Sequence, residues 1–172
     1  AAGHGLDKVT ITTPEGDEMV AEIAMPHTLP APTVILIHEW WGLNDHIRAV
    51  AAEYAKQGYI ALAVDLYGEP PATTPDGARA LMSSMDPVVA TRKLQSSVEF
   101  LRGHKDSTGK VGSVGWCFGG GWSLNTALAT DIDAAVIYYG NVNKTPEQVA
   151  TLSAPIMGHF GTLDKNINKE MV

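Results

Sequence analysis

The chain has 172 residues, of which 45% are hydrophobic and 18% charged, and its formal net charge is −7. This length and composition suit one globular domain with a substantial core. The acidic balance without any basic run argues against nucleic acid as a partner. No apolar run approaches the roughly 18 residues that a membrane-spanning helix needs. The composition therefore predicts neither a nucleic-acid surface nor a membrane span.

Neither the first residue of the chain nor its cysteine content determines the cellular compartment. Cys117 is the single cysteine, which excludes an internal disulfide. The chain begins at Ala1 without a methionine, a start that fits a processed or trimmed N-terminus. A cytoplasmic location and, after removal of a signal peptide, a periplasmic or secreted one are both consistent with this start.

The first predicted elements are two short strands, over 8–13 and 18–24, joined by turn-forming residues. The next strand, 33–37, is a continuous β-branched run, which is typical of a strand covered on both faces in a parallel sheet. Asn44 or Asp45 can cap the helix that follows. The N-terminal part therefore leads from a hairpin into a buried strand and a helix.

Strands and helices alternate along the rest of the chain. The further strands are predicted over 59–66, 111–115, 132–139 and 155–160, and the helices over 46–57, 76–85, 87–101 and 119–129. Such alternation forms βαβ units. The predicted fold class is therefore α/β, with a mainly parallel sheet flanked by helices in a single domain over residues 1–172.

The strongest functional motif is Gly115-Trp116-Cys117-Phe118-Gly119, which lies between a predicted strand and a predicted helix. It matches the G-x-nucleophile-x-G pattern of a sharp, strained turn, in which larger side chains at the two glycine positions would collide with neighbouring elements. The dipole of the following helix and the N–H of Phe118 would favour a thiolate and an oxyanion. An inert core cysteine is the alternative, but the glycines and the flanking elements favour a nucleophile.

Two other segments match a known binding motif only in part. The segment 38–42 begins like a zinc-binding H-E-x-x-H motif but has glycine where the second histidine belongs. The segment 119–121 opens a helix, yet Leu124 takes the place of the last glycine of a dinucleotide fingerprint. We therefore predict that the protein uses neither a metal nor an organic cofactor.

Four segments, taken together, resemble the dienelactone hydrolase family, which has the α/β-hydrolase fold. They are Ile37-His38-Glu39-Trp40-Trp41-Gly42-Leu43-Asn44, Val64-Asp65-Leu66-Tyr67-Gly68, Gly115-Trp116-Cys117-Phe118-Gly119-Gly120 and Phe160-Gly161-Thr162-Leu163-Asp164. They occur in the family's order and span most of the chain. The resemblance implies a hydrolase that opens small-molecule esters or lactones through an acyl-enzyme on cysteine.

The resemblance also implies a Cys–His–Asp triad assisted by a glutamate. Cys117 matches the nucleophile, Asp164 the carboxylate that orients the histidine, and Glu39 the glutamate that helps to form the thiolate. The backbone N–H groups of Trp40 and Phe118 match the donors of the oxyanion hole. Glu39 and Trp40 follow the first long strand, at the sheet edge where α/β folds place their ligands, which supports these roles independently.

None of the six histidines fits the triad position well. In the family the histidine follows the aspartate after one more strand, so a chain that ends at Val172 is expected to lack the last strand, the histidine loop and the closing helix. His38 adjoins Glu39 but should face the opposite side of the strand, and His159 lies within a strand rather than on a loop.

Three hypotheses follow from the missing histidine. The chain is a piece of a longer hydrolase, a short form completed by another subunit, or an impaired form that serves as a binding or oligomeric module. An unpaired outer strand invites another chain, so we expect a homo-oligomer formed through the exposed sheet edge. A thiol-redox role is weaker, because no second cysteine can resolve a sulfenic acid. We interpret Asp65 as structural and Arg79 as part of a solvated helix face.

Overall fold

The fold is organised around one mixed β-sheet, in a computed structural model that describes residues 5–140 and 142–159. The strands are β1 (Asp7–Thr12), β2 (Glu18–Ala24), β3 (Ala31–Ile37), β4 (Ile60–Val64), β5 (Ser107–Trp116), β6 (Ala134–Tyr138) and β7 (Ile156–His159). Their order across the sheet is β1-β2-β4-β3-β5-β6-β7. The β1–β2 and β2–β4 pairs are antiparallel, and the other pairs are parallel. The predicted α/β class and mainly parallel sheet are confirmed.

Four of the five described helices begin at a short polar side chain that caps them, and the helix that begins at Cys117 has no such cap. They are α1 (Asp45–Lys56), α2 (Pro75–Ser84), α3 (Pro87–Arg102), α4 (Phe118–Ala129) and the single turn α5 (Pro146–Val149). Asn44 Oδ1 accepts a hydrogen bond from the N–H of Ile47 at 3.2 Å, so Asn44, rather than Asp45, is the cap of α1. Thr74 caps α2 two residues before the predicted start. None of these helices is both long and apolar enough to cross a membrane.

Strand β3 lies at the centre of the core because both of its faces are covered. Ile35 and Ile37 pack in a cluster with side chains of α3 and α4, whereas Val34 and Leu36 pack in a second cluster with side chains of α1. Alternate residues of a strand point to opposite faces, so a continuous apolar run fits a strand between two helical layers. The prediction made from this run is confirmed.

A buried pair of serines attaches α4 to the sheet. Ser113 Oγ on β5 and Ser123 Oγ on α4 lie 2.7 Å apart, and the Ser123 hydroxyl also donates to the carbonyl oxygen of Val136 on β6 at 3.0 Å. Buried hydroxyls that are satisfied in this way specify one arrangement of their elements. The pair therefore holds α4 in register over β5 and β6, with its first turn at the carboxyl end of β5.

Candidate active site

Cys117 forms a sharp turn between β5 and α4 and carries an exposed side chain. Its backbone has φ 55° and ψ −117°, a conformation that a residue with a Cβ rarely adopts and that costs about 1–3 kcal/mol. The Cys117 N–H donates to the carbonyl oxygen of Tyr138 at 2.8 Å, and the Cys117 carbonyl accepts from the N–H of Gly120 at 3.0 Å. These bonds to β6 and α4 hold the strained turn, so the predicted elbow is present.

The two glycines of the motif allow the elbow to pack closely. A methyl group on Gly115 would overlap the carbonyl oxygen of Gly119, and one on Gly119 would overlap the carbonyl oxygens of Ile37 and His38. The steric reason for the predicted pattern is therefore confirmed. The close approach also brings the first turn of α4 against the end of β3, beside the loop that begins at Glu39.

The loop after β3 carries Glu39 and Trp40, which are both half-buried. It forms a turn in which the N–H of Gly42 donates to the carbonyl oxygen of Glu39 at 3.1 Å. Within residues 5–140 and 142–159, no acceptor is recorded for the backbone N–H groups of Trp40 and Phe118. Phe118 is the first residue of α4, where an N–H has no partner inside the helix. Among the described residues, these two N–H groups therefore make no backbone hydrogen bond.

His38 is completely buried beneath this loop, with 0% of its surface exposed. Its Nδ1 lies 2.7 Å from the carbonyl oxygen of Glu39, and the N–H of Leu66 donates to its Nε2 at 3.1 Å. A carbonyl only accepts and an amide N–H only donates, so the ring is neutral and its proton is on Nδ1. Both nitrogens are occupied, so His38 is not a substitute for the triad histidine.

Tyr67 links the neighbouring loop to Trp40. The Tyr67 hydroxyl donates to the carbonyl oxygen of Trp40 at 2.9 Å. Burial, with the charges of Cys117 and Asp65, raises the pKa of Tyr67 well above its usual value, so the phenol remains a donor. Asp65 Oδ1 accepts from the N–H groups of Tyr67 and Gly68 at 3.1 and 3.0 Å, the structural role expected of it. Tyr67 belongs to the segment Val64-Asp65-Leu66-Tyr67-Gly68, whose pattern did not predict this contact.

Of the two remaining candidates, Asp164 lies outside the described residues. His159 is exposed on β7, where its ring stacks on Tyr138 with 4.7 Å between the ring centroids. Strand β6 separates β7 from β5, the strand that leads to Cys117. The position of His159 therefore gives no support to a role as substitute base.

Arg79 lies at the rim of the site. It is exposed on α2 and pairs with Asp76 at 2.8 Å, as a solvated helix face would. The central carbon of its guanidinium group also lies 5.7 Å from the centre of the Trp40 ring, within the range of a cation–π contact. The sequence pattern alone contained no sign of this contact, because it joins a helix and a loop that are distant along the chain.

The neutral, buried imidazole of His38 is expected to make stability depend on pH. Burial lowers the pKa of His38, although the Glu39 carbonyl and the charge of Asp65 oppose this effect. Below the ordinary histidine pKa of about 6.5, His38 binds a proton in the unfolded chain but stays neutral in the folded protein. The free energy of unfolding should therefore fall as the pH falls below about 6.5, by up to about 1.4 kcal/mol per pH unit from this residue.

Urea unfolding of the wild-type protein and of H38Q, between about pH 8 and about pH 5, measures this contribution. The glutamine variant should show the shallower decline, because the other titrating groups are common to both proteins. Equal slopes would contradict the prediction.

Comparisons with known proteins found relatives that match most of this chain. A model of the dienelactone hydrolase family matches residues 19–172. A carboxymethylenebutenolidase of Pseudomonas putida is 30% identical over 166 residues, which cover 91% of this chain and 70% of that protein. Carboxymethylenebutenolidase 1 of Cupriavidus pinatubonensis is 29% identical over 174 residues, which cover 95% and 74%.

A solved structure named m3DLH has the same fold. It superposes with a TM-score of 0.85 at 24% sequence identity, and the match covers 96% of this chain and 72% of that one. At this identity the likeness shows the fold. The mixed sheet with helices on both faces is therefore shared with proteins of known structure.

Proposed function

Because this chain belongs to the dienelactone hydrolase family and is an ester or lactone hydrolase, we propose that Cys117 is its nucleophile and forms an acyl-enzyme. The observation that carries the proposal is the strained backbone of Cys117, with φ 55° and an exposed side chain at the start of α4. Backbone strain at a well-braced residue is typical of functional sites. The dipole of α4 favours the thiolate over the thiol.

The reaction begins with attack of the Cys117 sulfur on the carbonyl carbon of the ester. A C–S bond forms, and the carbonyl π electrons move to the oxygen, which then accepts hydrogen bonds from the N–H groups of Trp40 and Phe118. The oxyanion collapses, the C–O bond breaks, and the leaving oxygen takes up a proton. In a lactone this oxygen remains attached to the acyl group. Water then cleaves the thioester and restores the thiol.

Glu39 and Asp164 are the two carboxylates of the proposed machinery. Glu39 lies on the loop beside the elbow, where a carboxylate can take the thiol proton as substrate arrives. We assign to Asp164 the orientation of the histidine that activates water for deacylation. Both roles come from the family pattern, and residues 1–172 act as one α/β-hydrolase domain in this proposal.

The proposed substrates are small esters or lactones, and the named relatives favour a cyclic enol-lactone. Aromatic side chains surround the elbow: the ring centroids of Trp40 and Trp41 are 5.3 Å apart, and those of Tyr67 and Phe118 are 5.6 Å apart. Flat rings of this kind suit a planar, conjugated acyl group. Family membership does not favour the alternative, an impaired module that binds without acylation.

A homo-oligomer remains a prediction. Strand β7 is at the edge of the described sheet, and its four residues are all exposed. An exposed edge strand can pair with another chain. Sedimentation equilibrium should therefore give a mass above that of one chain, and a monomer at every protein concentration would contradict the prediction.

The acyl-enzyme is tested with p-nitrophenyl acetate, whose leaving group is coloured. A burst of p-nitrophenol equal to the amount of protein is expected, followed by the slower steady state set by deacylation. Mass mapping of the quenched protein should find one acetyl group on the peptide that contains Cys117. Acetyl groups elsewhere, or none at all, would overturn the assignment of the nucleophile.

A further inference from the structure

We propose that His38 is the positioning residue that orients the Trp40 amide toward the oxyanion, an inference that rests on the proposed function. The carbonyl of Glu39 and the N–H of Trp40 belong to the same peptide unit. His38 Nδ1–H donates to that carbonyl at 2.7 Å from below the loop. In a planar trans peptide the C=O and N–H point in opposite directions. Holding the carbonyl toward the buried ring therefore turns the N–H of Trp40 away from the core.

The ring of His38 is itself held from several sides. Its Nε2 accepts the N–H of Leu66, the second residue after β4, at 3.1 Å, and this bond determines that the proton is on Nδ1. Tyr67 packs on the ring with 4.8 Å between the centroids. A ring fixed in both tautomer and rotation can direct the Glu39 carbonyl in only one way. The Glu39 carbonyl, which also accepts the N–H of Gly42 at 3.1 Å, is thus oriented in part by a ring that is held from just after β4.

The same ring also adjoins the second proposed donor. The rings of His38 and Phe118 stack with 5.8 Å between their centroids and an angle of 15°. Gly119, the next residue, abuts the carbonyls of Ile37 and His38. Tyr67 adds a bond from its hydroxyl to the carbonyl of Trp40 at 2.9 Å, which holds the following peptide unit. His38 therefore lies where the two donor-bearing segments meet.

This contact should matter for the rate because oxyanion donors act through preorganisation. Removing one such donor typically costs about 10²–10³-fold in rate. A donor at the Glu39 carbonyl also polarises the peptide, which strengthens the Trp40 N–H as a donor. Without the bond from His38 to the Glu39 carbonyl, the Trp40 N–H would still be present but its direction would be less well fixed. We therefore expect a loss of about 10–100-fold in the acylation rate.

Two variants separate the two bonds of the imidazole. In H38N the amide nitrogen can take the place of Nδ1 and still donate to Glu39, but the side chain is too short to reach Leu66. In H38Q the longer side chain can accept from Leu66 and has no donor at the Nδ1 position. The burst with p-nitrophenyl acetate should be about 10–100-fold slower in H38Q and near the wild-type rate in H38N.

Alkylation of Cys117 by iodoacetamide is the companion measurement, because it needs the thiolate but forms no oxyanion. Its rate should be the same in the wild-type protein and H38Q. The inference would be overturned if H38Q acylated Cys117 at the wild-type rate. It would also be overturned if the rates of acylation and alkylation fell by the same factor in both variants. A wild-type protein that never acylates Cys117 would overturn the proposed function, and the inference with it.

A measurement on the wild-type protein tests the inference even if the variants do not fold. Nitrogen NMR of the ¹⁵N-labelled histidine side chains distinguishes a ring protonated on Nδ1 from one protonated on Nε2 or on both. His38 should show the proton on Nδ1 near neutral pH, with coupling to the Glu39 carbonyl. The other tautomer or a cationic ring would overturn the inference directly.

Discussion

Replacing Cys117 by alanine is expected to abolish acyl transfer, with kcat/KM for p-nitrophenyl acetate falling by at least about 10³-fold. The thiol is the only described atom that the proposal uses to form a bond with the substrate. Alanine keeps the Cβ and so the geometry of the turn, which is held by backbone bonds to Tyr138 and Gly120. The oxyanion donors remain, so slow residual hydrolysis by water should persist without a burst.

The serine variant is the matched control for this prediction. C117S is nearly the same size and keeps a nucleophilic atom on the same turn, but its hydroxyl needs a base to remove the proton at neutral pH. We expect C117S to retain the fold and lose most of the burst rate, because the α4 dipole alone does not ionise an alcohol. Circular dichroism checks that all three proteins are folded. A stoichiometric burst in C117A would contradict the assignment of the nucleophile.

G119A should destabilise the protein by at least about 3 kcal/mol, the upper part of the range for overpacked sites. A methyl group at Gly119 would overlap the carbonyl oxygens of Ile37 and His38. Those atoms belong to the end of the central strand β3, so relief of the overlap requires α4 or the sheet to move. The oxyanion loop begins at the same place, so any G119A protein that folds should also acylate slowly.

G103A is the matched control, since it adds the same methyl group at the end of α3. Gly103 has φ −88°, which alanine tolerates, and its added Cβ would lie 3.4 Å from the carbonyl oxygen of Glu99, an ordinary contact. The free energy of unfolding in urea should stay within about 1 kcal/mol of the wild-type value. Equal stabilities of G119A and G103A would show that the elbow packs more loosely than the structure indicates.

The elements themselves were predictable because their signals are local. The Pro87 start of α3 agrees with the predicted first turn, and β2 spans Glu18–Ala24 as predicted. The predicted bounds are wrong for β5, which spans Ser107–Trp116 rather than 111–115, and for β6, which spans Ala134–Tyr138 rather than 132–139. The single turn α5 was not predicted at all. A single helical turn has too few residues for its periodicity to be visible.

The candidate nucleophile could be predicted from the sequence, because the close packing of the elbow requires glycine at two fixed positions beside the cysteine. No comparable pattern of residue types marks the roles of His38 and Tyr67. A histidine before a glutamate reads equally well as a base or as a core residue, and only its two partners, Glu39 and Leu66, distinguish the two. Those partners follow two different strands, β3 and β4, so the contact depends on the placement of β4 beside β3.

The amino-acid sequence by itself therefore determined the α/β class, the strained elbow at Cys117 and the approximate extent of its elements. Each of these leaves a local pattern of residue types in the chain: capping residues, side-chain periodicity, and glycines on either side of the cysteine. Only the tertiary structure decided the strand order, the antiparallel pairing of β2 with β4, and the neutral, buried His38 under the loop after β3. These features join residues far apart in the chain, whose contacts form only when the sheet has assembled.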